Sequence, residues 1–207
     1  MFVLADVFEP AFDEENHIYY RSEIGVGDPI PSVTQILKPL SDACYKGIPE
    51  YVLQQAADLG TAVHACIELY LKDDLDESSI LDEWRPYFNA FLKFMRDFNP
   101  QILGIEKRLA CQTHAGTIDL ICVINGKVWI IDWKTTTKLM PMVAIQTAGY
   151  EPLVRCFPKL GLSKICFRGA VQLKKDGSYV LEQYTDTDDY KMFEHLVEVS
   201  KWIKENE

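Results

Sequence analysis

The chain has 207 residues, of which 48% are hydrophobic and 25% charged, and a net charge of −10. Those proportions exclude a disordered polymer, and no apolar run reaches the roughly 20 residues that a membrane-spanning helix needs. The opening stretch "MFVLADVFEPAFDEEN" lacks a basic segment and turns acidic at once, so a soluble, intracellular protein without a secretory signal peptide is expected.

In chain order, the first 30 residues read as extended, with turns at "DEEN" and "GVGDP". "PSVTQILKPL" suggests a short helix that stops before Pro39. From Pro49 to Lys72 apolar residues recur at helical spacing: Val52, Ala56, Leu59, Val63, Ile67 and Leu71. Gly60 interrupts that helix at a cost of about 1 kcal/mol relative to Ala, which suggests close approach by another group. Ser79 is a candidate N-cap for a helix from Ile80 to Phe98. Strand patterns follow in "ILGIEKRLACQ", "AGTIDLICVI" and "KVWIIDW". The last two are joined by Asn125-Gly126, a type I′ hairpin signal. A helix from Pro141 to Cys156, two strands around "DGS" and an amphipathic C-terminal helix complete the chain. The order predicts one mixed α/β (α+β) domain over 1–207. Residues 1–100 form a mainly helical part carrying His64. Residues 101–175 form a sheet core, and 176–207 a last strand and helix.

Charge is unevenly spread. Residues 101–175 hold 11 basic and 4 acidic side chains, a net of +7, between flanks of −11 and −6. Such an island either decorates strand ends or forms a basic face that attracts a polyanion. The six cysteines form no CxxC pair and read as buried free thiols rather than a zinc or iron–sulfur site.

Three of the four acids in the island are Glu106, Asp119 and Asp132. Asp132 and Lys134 are two apart on a strand and share a face, with Trp133 on the other. Counting from the Asn125-Gly126 turn pairs Ile124 with Lys127 and Asp119 with Asp132. Two carboxylates together in an apolar sheet repel and resist desolvation. Either Lys134 is a structural salt-bridge partner for one of them, or they hold a hard divalent cation, Mg²⁺ or Mn²⁺, with Lys134 beside it. His64 and Glu68 share one helix face, as a further ligand and its neighbour or as structural groups. Glu106 could reach the same place or lie in a surface ion pair. Gln146 and Tyr150, at i and i+4, could contact phosphate or base edges or simply pack.

Taken together, five segments occur in order: "GTAVH" (Gly60 to His64), Glu106, "GTID" (Gly116 to Asp119), "DWK" (Asp132 to Lys134) and "QTAGY" (Gln146 to Tyr150). This combination resembles the PD-(D/E)XK nuclease superfamily, in particular its RecB-like, phage-type exonuclease branch. It is also similar to mitochondrial genome-maintenance-type exonucleases. The match covers about residues 31–156. The resemblance implies a restriction-endonuclease-like core, a central mixed sheet flanked by helices with an N-terminal helical extension. It implies Mg²⁺ or Mn²⁺ (one or two ions) on Asp119, Asp132 and the Trp133 backbone carbonyl, with His64 as a further ligand. Lys134 would position the attacking water. Gln146 and Tyr150 would hold the DNA strand, with Glu106 and Glu68 as second-tier substrate contacts.

The implied activity is metal-dependent exonucleolytic hydrolysis of DNA in recombination, replication or repair. A phage or prophage setting places it in the cytoplasm of a bacterial or phage-infected cell. A phage single-strand-binding or annealing protein is a candidate partner. The alternatives are a structure-specific endonuclease, or a non-catalytic DNA-binding protein on the same core. Iron–sulfur nucleases of the superfamily carry a close cysteine cluster near the C-terminus. The last cysteine here is Cys166, so no cluster is expected.

Overall fold

A computed structural model describes residues 6–160 and 166–206. The chain opens with a small antiparallel hairpin, β1 (Ala11–Asp13) and β2 (Ile18–Tyr20). The Asp13 carboxylate closes its turn by accepting the backbone N–H groups of Glu15 and Asn16, both at 3.1 Å. The segment expected to be one short helix is two. In α1 (Val33–Ile36) a complete capping box ties Ser32 to Gln35. Then α2 (Lys38–Cys44) begins directly after Leu37. Pro39 therefore starts a helix rather than ending one, because the first turn needs no donor from it.

The long helix α3 (Glu50–Leu71) lies where helical spacing puts it. Its first turns differ from expectation: Val52 and Ala56 are exposed, and burial begins further on, at Val63, Cys66 and Ile67. Ser79 caps no helix. It sits in a 3₁₀ turn capped by Asp76, and α4 (Arg85–Phe98) starts five residues later than expected. Asn99, in the left-handed conformation at φ 40°, ends α4.

Five strands form the main sheet, in the order β3 (Gln101–Ala110), β4 (Ala115–Ile124), β5 (Lys127–Lys134), β6 (Phe167–Leu173) and β7 (Tyr179–Tyr184). All neighbours are antiparallel except β5 and β6. That parallel pair needs a crossover, supplied by α5 (Met142–Cys156). A C-terminal helix, α6 (Asp188–Asn206), completes the chain. The fold is thus mixed α/β, a five-stranded mixed sheet with helices on both faces. The Asn125-Gly126 turn has φ 50° and 73°, as a type I′ turn requires. The first of the two strands expected around "DGS", read from "SKICFRGAVQLKK", begins at Phe167, and 163–165 lie outside the described residues.

The sheet separates two apolar layers. One joins Ile118, Ile121 and Ile130 to α1, α5 and α6 through Ile36, Leu153 and Val197. The other joins Leu120, Cys122 and Trp133 to α3 and α4 through Ile67, Phe91 and Phe94. Residues two apart on a strand should share a face. Ile118 and Leu120 do not, so β4 changes face at Asp119. Across from it, Glu106 has φ 45°, a left-handed residue inside a strand. The ladder pairs Ile105 with Leu120 and Lys107 with Ile118, and breaks between them at Glu106 and Asp119. The irregularity thus coincides with two acids.

Candidate functional site

The acids belong to one row across the sheet. The β3–β4 register sets Glu106 opposite Asp119, and the β4–β5 register, Ile124 with Lys127 and Leu120 with Ile131, runs on to Asp119 and Asp132. Three carboxylates thus occupy one level of three neighbouring strands. At that level Asp119 replaces a ladder bond with its side chain: Oδ2 accepts the Trp133 backbone N–H at 2.8 Å.

His64 meets this row from α3. Its Nε2 donates to the Trp133 carbonyl at 2.9 Å, which leaves the Nδ1 lone pair facing Asp119 Oδ2 at 3.5 Å. Two acceptors face one another, and a proton or a cation between them resolves the repulsion. Donor atoms of His64, Glu106 and Asp119 all lie within 4.8 Å of one another, so the three could hold a metal ion. One imidazole nitrogen and two carboxylate oxygens do not single out one metal.

Electrostatics point the same way. The Glu106 carboxyl is pushed up to about 8, first by burial, then by the negative charges of Asp119 and Glu68. Burial also raises Asp132, with Asp119 adding to the shift and Lys134 opposing it. These carboxylates cannot all ionise comfortably by themselves, which fits a site for a divalent cation.

Lys134 Nζ lies 2.6 Å from Asp132 Oδ2 as an ion pair. Burial alone would lower the lysine, but Asp132 and then Asp119 outweigh it and hold it above the usual value. It therefore stays an ammonium. Asp132 and Lys134 share a face and Trp133 packs among Phe91 and Phe94 on the other, as alternation requires.

These groups line a cleft of about 530 Å³ that includes every nominated side chain. Glu68 lies in its wall, ion-paired with Lys72. Gln146 and Tyr150 form its floor on α5, 8% and 4% exposed, and Gln146 Nε2 donates to the Tyr150 hydroxyl at 3.0 Å. Burial foremost, with Asp132 adding to it, raises Tyr150 well above its usual value, so it keeps its proton. Gly116 makes room for that ring: a Cβ there would meet Tyr150 Cε1 at 2.5 Å. A second cavity of about 330 Å³ lies beyond Gly60 and Lys134, lined also by Tyr45, Met140 and Met142.

Glu106, expected as a second-tier substrate contact, lies with His64 and Asp119 in the metal-capable group. Asp132, expected as a ligand, is ion-paired with Lys134, and the Trp133 carbonyl, also expected as a ligand, accepts from His64. Counting back from the four-residue turn Cys111–His114 would have set Glu106 opposite Asp119. The β1–β2 hairpin carried no such signal, yet Phe12, His17 and Tyr19 line the cleft together with Arg108.

Several bases of the island are turned to acids of the flanks. Lys107 and Lys159 both pair with Glu9, at 3.1 and 3.0 Å, and Arg108 pairs with Glu14 at 3.1 Å. Arg168 is buried against Asp189 at 2.9 Å. The acidic flanks thus pair four of the island's eleven bases. All six cysteines are free thiols, four of them buried. Among the described residues no helix is long and apolar enough to cross a membrane.

No protein-family model matches the chain, and no curated protein matches it. A solved structure described as "Crystal structure of SSO0001" is similar at 16% identity and a TM-score of 0.34, over 81% of this chain and 84% of that one. A likeness at that level carries no argument about fold or function.

Proposed function

We propose that the protein is a metal-dependent deoxyribonuclease, with exonuclease action favoured. The observation that carries this reading is the row Glu106, Asp119 and Asp132, faced by His64 and completed by Lys134 in one open cleft. Its carboxylates, with Glu68 beside them, would repel a phosphodiester when ionised. A divalent cation reverses that sign.

Glu106, Asp119 and His64 Nδ1 would hold Mg²⁺ or Mn²⁺, with Asp132 adjacent. Such an ion, when bound, neutralises phosphate charge and acts as a Lewis acid on phosphoryl oxygen and water. Lys134, fixed as an ammonium, donates hydrogen bonds to water or phosphate oxygen and does not serve as a base. Asp132, raised by burial and adjacent to that ammonium, is poised to take a proton. Tyr150, protonated and braced by Gln146, has an O–H to offer a phosphate oxygen or a carboxylate. His64 Nε2 is committed to the Trp133 carbonyl, which orients the ring.

Linear DNA labelled separately at each end, single- and double-stranded, is the test, with covalently closed circles beside it. Metal-dependent loss of linear DNA that spares circles, is stopped by EDTA and is absent from Lys134→Ala is the expected result. Cutting of circles would replace exonuclease by endonuclease. Binding without any cleavage would overturn the catalytic reading.

A further inference from the structure

The cleavage chemistry makes no use of the β1–β2 hairpin, although it forms one wall of the cleft. Tyr19 anchors it: the hydroxyl shares a 2.7 Å hydrogen bond with Thr117 Oγ1, and its carbonyl accepts the Ile30 N–H at 2.8 Å. Phe12 leans on the Tyr19 ring at 4.6 Å and meets the His17 ring edge-on at 4.9 Å. The Arg108 guanidinium lies 4.2 Å over Phe12. Tyr19 is buried, Phe12 half-buried and His17 exposed, so the stack is fixed at one end and open at the other.

Its place matters as much as its composition. Arg108 pairs with Thr117, one step of two residues from Glu106 and Asp119, or about 6.8 Å along the strands. A polynucleotide with one phosphate at the carboxylates brings a neighbouring nucleotide to this stack. Arg108 is already oriented, by Phe12 on one side and Glu14 at 3.1 Å, and its Nε is buried without a hydrogen-bond partner. Unpaired bases are held by aromatic rings and guanidinium planes in this way, and Arg is suited to a phosphate. An acidic peptide would use the guanidinium but not the rings.

We infer that Phe12, His17 and Arg108 form a nucleotide subsite beside the metal-capable group, stacking one unpaired base on the hairpin and binding its phosphate at Arg108. This rests on the nuclease reading for where the strand lies. Its test does not require cleavage.

Fluorescence anisotropy would measure binding of fluorescein-labelled oligothymidylates to the Lys134→Ala protein with Mg²⁺. The strands would be intact or carry one abasic position moved stepwise along them. One position is expected to weaken binding about tenfold. In His17→Ala and Phe12→Ala the same abasic strand is expected to cost less than about twofold, because the stacking partner is already gone. Phe12→Ala also loosens the hairpin core, so the exposed His17 carries the comparison. Arg108→Gln is expected to flatten the salt dependence of binding by about 0.7 in slope. An abasic profile with no special position, or one unchanged in both variants, overturns the subsite. Cleavage by the unsubstituted protein with such a flat profile overturns the subsite alone. A position-specific profile without cleavage keeps the subsite and sinks the nuclease. Absence of binding overturns both.

Discussion

Glu106 combines a left-handed backbone, φ 45°, with a carboxyl pushed up to about 8 by burial and by Asp119. An acid raised in the folded state costs stability as pH climbs from its ordinary 4.5 towards that value, because the unfolded chain releases the proton first. A cation bound at the carboxylate displaces the same proton, so its stabilisation grows over the same interval. The rise in melting temperature caused by Mn²⁺ is therefore expected to be larger at about pH 9 than at about pH 6. In Glu106→Gln both that increment and its pH dependence should shrink. Equal increments at both pH values in the unsubstituted protein would count against Glu106 as a ligand. Gly116 gives a steric prediction. Its missing Cβ admits the Tyr150 ring, so Gly116→Ala should cost about 1–3 kcal/mol, seen as a lower denaturation midpoint. A midpoint unchanged from the parent would mean that the ring has another resting place.

At the scale of elements, α3 crosses the sheet end at Gly60, where a Cβ would meet Thr135 Oγ1 at an ordinary 3.6 Å. Nothing steric requires glycine there. Gly60→Ala should stabilise the protein by up to about 1 kcal/mol in denaturant titration. Gly60 lines both cavities, so the same variant adds a methyl group to a wall they share. A loss of stability instead would show that the helix is packed more tightly there than 3.6 Å suggests. The elements were largely legible in the sequence for local reasons. Asn125-Gly126 dictates its turn, and the near-continuous runs in β4 and β5 reflect burial on both faces. What was not legible depends on contacts remote in sequence. The start of α4 was hidden because Ile80 is buried without being helical. The exposure of Val52 and Ala56 was hidden because helical spacing cannot say where a covering layer ends. Asp119, Asp132 and Lys134 stood out as charges in apolar strands. Glu106 did not, since its membership follows from the β3–β4 register and from a face change that alternation forbids.

For the whole molecule, the acidic flanks close back on the basic centre in two ways. At the surface, Glu9 draws in Lys107 and Lys159, yet its side chain is 43% exposed. Glu9→Gln is therefore expected to cost under about 1 kcal/mol, and less in high salt. Inside, Arg168 binds Asp189 and also donates to the carbonyls of Ala144 and Asp186, joining β6, α5 and the start of α6. Asp189→Ala should cost about 3–5 kcal/mol, because it strands a buried guanidinium. Comparable losses from both variants, measured by chemical denaturation, would refute this division. One consequence of the topology concerns time. The strands β3, β4 and β5 form a meander of short connections, whereas β6 joins only after the α5 crossover. Local pairings close early in folding and long crossovers late. All three acids sit on the meander, so their mutual repulsion is met on the way to the transition state. A divalent cation should then quicken refolding as well as slow unfolding.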